Sequence, residues 1–121
     1  MGIVVFVGLF ALFAMLQKPG LFKNYVACSP STDYKEQTIF DYEEQFAKRW
    51  KTMPAGLFLS MGDLEIFNQY DHVEGMNRFF SQVESRNYEQ LEMEKKVFPD
   101  EDHCTVIAPS FQAGLKWALK I

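Results

Sequence analysis

Apolar residues along the chain fall into short unbroken runs, separated by longer stretches in which they recur every three or four positions. Short runs bounded by turn residues read as strands, and the longer periodicity reads as helix. Ile3-Val4-Val5-Phe6 is the first run; Leu9, Leu12, Phe13 and Leu16 follow it at helical spacing, stopped by Pro19-Gly20. Asn24-Tyr25-Val26-Ala27-Cys28 is the second, closed by Ser29-Pro30-Ser31, and a strand so short and so apolar is expected to lie buried in a parallel sheet. After a loop to about Tyr34, the positions Ile39, Tyr42, Phe46 and Trp50 predict a helix that Met53-Pro54 ends, because proline cannot continue it. Gly56-Leu57-Phe58-Leu59-Ser60-Met61 is the next buried strand, and Gly62 opens a polar loop through Asn68-Gln69. Val73, Met76, Phe80 and Val83 mark a helix. Leu91, Met93, Val97 and Phe98 mark a strand whose Glu92, Glu94, Lys95 and Lys96 suit a sheet edge, ended by Pro99. Phe111, Leu115, Ala118 and Leu119 line one face of a terminal helix, with Lys116 and Lys120 toward water near its C-terminus. The alternation, free of internal repeats, predicts an α/β fold: a short, mostly parallel sheet flanked by helices, one domain over residues 1–121.

Composition narrows the function classes. A length of 121 residues holds one domain, and 12 Phe, 5 Tyr and 2 Trp give it a core that a disordered tail lacks. Lys and Arg number 12 against 16 Asp and Glu, so the basic footprint that neutralises phosphate is missing and nucleic acid is not an expected partner. Cys28 and Cys104 are too few for a disulfide scaffold or a four-thiolate zinc site; one bridge between them stays open, and the redox compartment with it. The uncharged stretch Gly2 to Leu16 has two readings. As a signal or anchor it is shorter than the roughly 20 residues of a bilayer span, no Lys or Arg precedes it, and Ala11 and Ala14 are spaced three apart where a small-x-small site needs two. A strand followed by a helix fits better, while a membrane-anchored envelope protein stands as an alternative and localisation stays open.

In parallel α/β sheets, chemistry collects in the loops just past the carboxyl ends of the strands. The loops Ser29 to Tyr34, Gly62 to Tyr70 and Pro99 to Val106 are therefore the places to look. The third holds His103 behind the carboxylates Asp100, Glu101 and Asp102, where an imidazole can act as a general base. The second holds Asp63 and Glu65, and either could orient that imidazole through a ring N–H. An acid followed by a histidine, in that chain order, matches the last two members of an α/β-hydrolase triad.

These residues carry a family likeness. Phe6 to Phe13, the turn Tyr25-Val26-Ala27-Cys28-Ser29-Pro30-Ser31, the loop Gly62-Asp63-Leu64-Glu65 with Asn68, and the ending Phe98-Pro99-Asp100-Glu101-Asp102-His103-Cys104-Thr105-Val106-Ile107 before Gly114-Leu115-Lys116-Trp117 resemble the esterase D-like and siderophore-ester hydrolases of the α/β-hydrolase superfamily. The resemblance implies that the chain corresponds to the C-terminal half of a family member, from the nucleophile elbow to the final helix. It implies His103 as the catalytic histidine, Glu65 or Asp63 as its acid unless the site is a dyad that uses neither, and an ester as the substrate of the intact family; no cofactor is expected, and no metal, since too few ligands converge for a metal site. The departure is at the nucleophile. Family members carry Gly-x-Ser-x-Gly, and aligning that pattern places Ile3 and Val7 at its glycines and Val5 at its serine. Valine has no hydroxyl to attack a carbonyl, and losing a triad serine costs on the order of 10⁶ in turnover. Weak or absent catalysis by the chain alone is the expectation.

Blander readings account for the other candidates. Ser29, Ser31, Ser60 and Ser110 lack the elbow context and read as turn, cap or strand-end residues. Cys104 beside His103 reads as a packing residue, since neighbours in an extended loop point apart. Asp71-His72 reads as a solvated helix start capped by Asp71. Asp100 to Asp102 reads as an exposed acidic turn, without the ligand spacing of a calcium loop. Beside the hydrolase reading stands a non-catalytic interaction module, in which an unpaired apolar sheet edge would drive self-association.

Overall fold

The computed structural model describes residues 3–67 and 69–120, so Asn68 of the family likeness lies outside the described residues. Parallel strands β1 (Ile3–Val7), β2 (Asn24–Cys28), β3 (Gly56–Gly62) and β6 (Glu92–Phe98) pair in the order β1-β2-β3-β6. Between them run helices α1 (Phe10–Gln17), α2 (Tyr34–Arg49) and α3 (His72–Ser85), and α4 (Ile107–Leu119) follows β6. The small antiparallel pair β4 (Ile66–Phe67) and β5 (Tyr70–Asp71) sits between β3 and α3, within the segment whose polar sequence predicts a loop. Among the described residues no helix is long and apolar enough to cross a membrane.

The strands follow from side-chain alternation on a sheet covered on both faces. Tyr25 and Ala27 of β2, with Leu57, Leu59 and Met61 of β3, face a core built with Leu12, Met15, Ile39, Met76, Phe79 and Val83 from α1, α2 and α3. Val26, Cys28 and Phe58 face the other way, onto Ala113 and Trp117 of α4. Every residue of β2 and β3 is buried, as their predominantly apolar sequences favour, with Asn24 and Ser60 the buried polar members. The charged β6 is the outer strand beside β3, in the edge position its Glu and Lys residues suit.

Two helices turn differently from their periodicity. The buried face of α4 is Ser110, Gly114 and Ala118, whereas Leu115 and Leu119 are exposed. Small residues let this helix approach the sheet: a Cβ on Gly114 would lie 2.3 Å from Val26 Cγ1. In α2, Tyr42 is exposed, as is Trp50 just past its end, and Ile39, Glu43 and Phe46 turn inward. Glu43 is fully buried and accepts hydrogen bonds from Arg86 Nη2 (2.9 Å), Tyr88 Oη (2.7 Å) and Gln82 Nε2 (2.6 Å), which ties α2 to the end of α3. Buried polar groups are tolerated when satisfied in this way.

Candidate functional site

Because all four main strands run parallel, their carboxyl ends gather the three connecting loops at one edge of the sheet. Beyond β3 the chain turns tightly: Glu65 N–H donates to Gly62 O (3.2 Å), while Gly62 N–H donates back to Glu65 Oε2 (2.7 Å). This reciprocal turn folds the Glu65 side chain inward, and it is 1% exposed. The loop after β6 lies directly against it. Leu64 N–H donates to Glu101 O (3.1 Å), Asp63 N–H to Phe98 O (3.0 Å), and Asp100 N–H to Asp63 Oδ1 (2.8 Å). A Cβ on Gly62 would stand 2.2 Å from Glu101 O, so the loops approach this closely only over a residue without a side chain.

His103 is held in a compact turn. Asp102 Oδ1 accepts the N–H groups of Cys104 (2.8 Å) and Thr105 (2.9 Å), and Thr105 Oγ1 accepts Asp102 N–H (2.9 Å). The Thr105 and Cys104 amides hold the Asp102 carboxyl below the ordinary carboxylate range. From this turn His103 Nδ1 reaches Glu65 Oε1 at 2.9 Å, and the imidazole is about half exposed. Oε2 of the same carboxylate already accepts from Ser29 Oγ (2.8 Å) and Gly62 N–H, so Glu65 acts as the acceptor and Nδ1 carries the proton. In the neutral ring that tautomer places the lone pair on Nε2, the arrangement a general base requires.

Both acids named from sequence occupy the loop expected of them, with different contacts. Glu65 meets His103; Asp63 is exposed and instead binds the backbone of the histidine loop. Asp71 does cap α3, its Oδ1 accepting Glu74 N–H at 3.0 Å. His72 is not solvated, however: it is 2% exposed, edge-on to Tyr70 with ring centroids 4.8 Å apart, because the β4–β5 hairpin folds over it. Cys104 is not a packing residue but exposed, since the Asp102 turn projects it outward, and both cysteines are free thiols. Ser60 and Ser110 are mutual partners between β3 and α4, Oγ to Oγ 2.9 Å. Ser29, read from sequence as a turn residue, contributes a buried hydroxyl to the site. Among the described residues no cluster of three or more His, Cys, Asp or Glu is arranged to hold a metal ion.

At Val5, which the family likeness aligns with a nucleophile serine, the backbone is regular. β1 pairs in parallel register with β2 from Ile3 to Val7, with Val5 opposite Val26, and the chain turns only at Gly8 to enter α1. A nucleophile elbow is a strained strand-to-helix turn centred on the serine. Here β-branched residues at 4, 5 and 7 favour the extended strand, and no such turn forms at Val5.

The chain is 31% identical over 129 aligned positions to a siderophore enterobactin esterase of Emericella nidulans, covering 89% of this chain and 43% of the relative. It is 25% identical over 114 positions to the ferri-bacillibactin esterase BesA of Bacillus subtilis, covering 93% of this chain and 39% of that protein. The chain is similar to part of each of these two siderophore esterases. It spans less than half the length of these relatives. The fold agrees: an IroE-like serine hydrolase from Shewanella oneidensis superposes with a TM-score of 0.81 at 20% identity, over 98% of this chain and 40% of that one. The partial α/β-hydrolase sheet expected from sequence is thus the observed architecture. No protein-family model matches the chain.

Proposed function

We propose that this chain carries the acid–base portion of a carboxylic-ester hydrolase site, with His103 as the general base and Glu65 as its orienting acid, and that it corresponds to the C-terminal half of such an enzyme. The observation that carries this reading is the 2.9 Å contact between His103 Nδ1 and the buried Glu65 carboxylate. It matches the acid and histidine of a triad in geometry, chain order and place on the sheet. The names of the relatives supply the substrate class, a siderophore ester. With Val5 in a regular strand and no hydroxyl at that position, the chain by itself turns over esters at background rate. Hydrolysis of p-nitrophenyl acetate is compared for the purified chain and its His103→Ala variant, alongside labelling with a fluorophosphonate probe. Equal background rates and no covalent adduct are expected. Activity that disappears in the variant, or an adduct on any side chain, overturns the claim that the nucleophile is lost.

The two sheet edges favour a second reading, a module that pairs with a second copy of itself. β6 is guarded by Glu92, Glu94, Lys95 and Lys96, whereas β1, at the opposite edge of the described sheet, is Ile-Val-Val-Phe-Val. Uncharged edges template further pairing. Light scattering would then give a dimer, and a monodisperse monomer refutes this second reading.

A further inference from the structure

Resting on the reading of His103 and Glu65 as an acid–base pair, we propose that Ser29 is the positioning residue of that pair, fixing the Glu65 carboxylate so that Oε1 alone is presented to the imidazole. A terminal carboxylate rotates in a broad, shallow well and does not by itself hold one oxygen toward a partner. Here Oε2 is claimed from two separate segments, by Ser29 Oγ just past β2 at 2.8 Å and by Gly62 N–H at the end of β3 at 2.7 Å, and Oε1 is left toward His103. Ser29 is itself fixed. It is 1% exposed, and its N–H donates to Ser60 O at 2.8 Å, extending the β2–β3 ladder by one residue.

The backbone gives a second, independent observation. Ser29 has φ 50°, in the left-handed region, and it precedes Pro30, which disfavours the right-handed helical conformation there. Glycine is the residue that takes such a position without strain. A serine in its place keeps a Cβ in an unfavourable conformation and, with it, the hydroxyl that reaches Glu65. Strain held at a residue whose side chain enters the site is the pattern of a functional constraint rather than of packing. Groups behind the first partner of an imidazole set its tautomer and orientation in the same manner.

The test reads the imidazole directly and needs no turnover. In the ¹⁵N-labelled chain, side-chain ¹⁵N–¹H correlations assign the His103 resonance by its loss in His103→Ala. Wild type is expected to show a downfield Nδ1–H proton and a single neutral tautomer. Ser29→Ala and Ser29→Gly are both expected to lose that proton to exchange and to give a mixture of tautomers. The glycine variant relieves the φ strain and keeps the fold, so its loss reports on the hydroxyl alone; backbone amide spectra check the fold of each. Both variants keeping the wild-type signal would overturn the proposal. Glu65→Gln separates the two levels. If it abolishes the signal while both Ser29 variants retain it, only the role of Ser29 falls. If Glu65→Gln leaves the signal unchanged, or wild type shows none, the acid–base pair itself is wrong and Ser29 falls with it.

Discussion

The contact between the acid loop and the histidine loop depends on the missing side chain of Gly62, and adding one methyl there is the sharpest perturbation of the site. In Gly62→Ala the new Cβ would meet Glu101 O at 2.2 Å, Glu101 C at 2.7 Å and Glu101 Cβ at 3.1 Å. Ordinary C···O contact is about 3.3 Å, so Glu101 has to retreat by about 1 Å. The offending atoms belong mainly to the backbone, which cannot swing aside as a flexible side chain would. The same carbonyl accepts Leu64 N–H at 3.1 Å, and His103 lies two residues further along the displaced segment. A shift of this size carries Nδ1, now 2.9 Å from Glu65 Oε1, to the limit of hydrogen-bonding range or beyond it.

Overpacking of this kind costs about 1–3 kcal/mol. At about 4 °C per kcal/mol for a domain of this size, the expected fall in Tm is about 4–12 °C. Thermal and urea unfolding measure the loss, and the His103 Nδ1–H proton reports the geometry. Gly20→Ala is the matched control, since a Cβ there meets nothing within 4 Å. A Gly62→Ala chain that unfolds within about 0.5 kcal/mol of wild type and keeps its imidazole proton would refute the claim that glycine is required for the two loops to meet.

Other parts of the fold give further tests. Glu43→Ala removes the shared acceptor of Arg86, Tyr88 and Gln82 and is expected to cost about 2–4 kcal/mol in urea unfolding, short of the full effect of breaking a buried pair because Arg86 is partly exposed and can turn to water. Burial, and then the hydrogen bond to Glu43, push the Tyr88 phenol above its ordinary 10.0. The fold therefore binds that proton more tightly than the unfolded chain does, so the contribution of neutral Tyr88 is complete below pH 10 and is lost as pH rises toward the elevated value; Tyr88→Phe should flatten this alkaline slope. The Asp102 carboxyl is shifted the opposite way, below 3.8, so the turn it holds persists above that pH and loosens as pH falls through the lowered value. Acid titration of the Cys104 and Thr105 amide resonances follows it, and Asp102→Ala should abolish the response.

What was legible from sequence, and what was not, divides on physical grounds. β2 and β3 were readable because a strand covered on both faces is apolar at most positions, and β6 because an edge strand tolerates charge. The buried face of α4 was not, because contact there runs through Ser110, Gly114 and Ala118, which hydrophobic periodicity scores below the exposed Leu115 and Leu119. Size, not hydrophobicity, decides how near a helix comes to a sheet. Glu43 was equally hidden, since Arg86 and Tyr88, which make its burial tolerable, lie more than forty residues away in the chain.

The site shows the same division at finer scale. Parallel topology alone is enough to send His103 and the acids to one edge of the sheet, and the loops were identified on that basis. Spacing could not choose between Asp63 and Glu65, which differ by two positions. The choice rests on the Gly62 to Glu65 turn, which folds one carboxylate under the histidine loop and leaves the other to bind that loop's backbone. For Ser29 a signal was present: a hydroxyl placed between a fully buried strand and a proline, on the edge where the acid and the histidine converge. A turn at that point needs only backbone freedom, which glycine supplies without strain. The side chain kept there is explained by the carboxylate it touches.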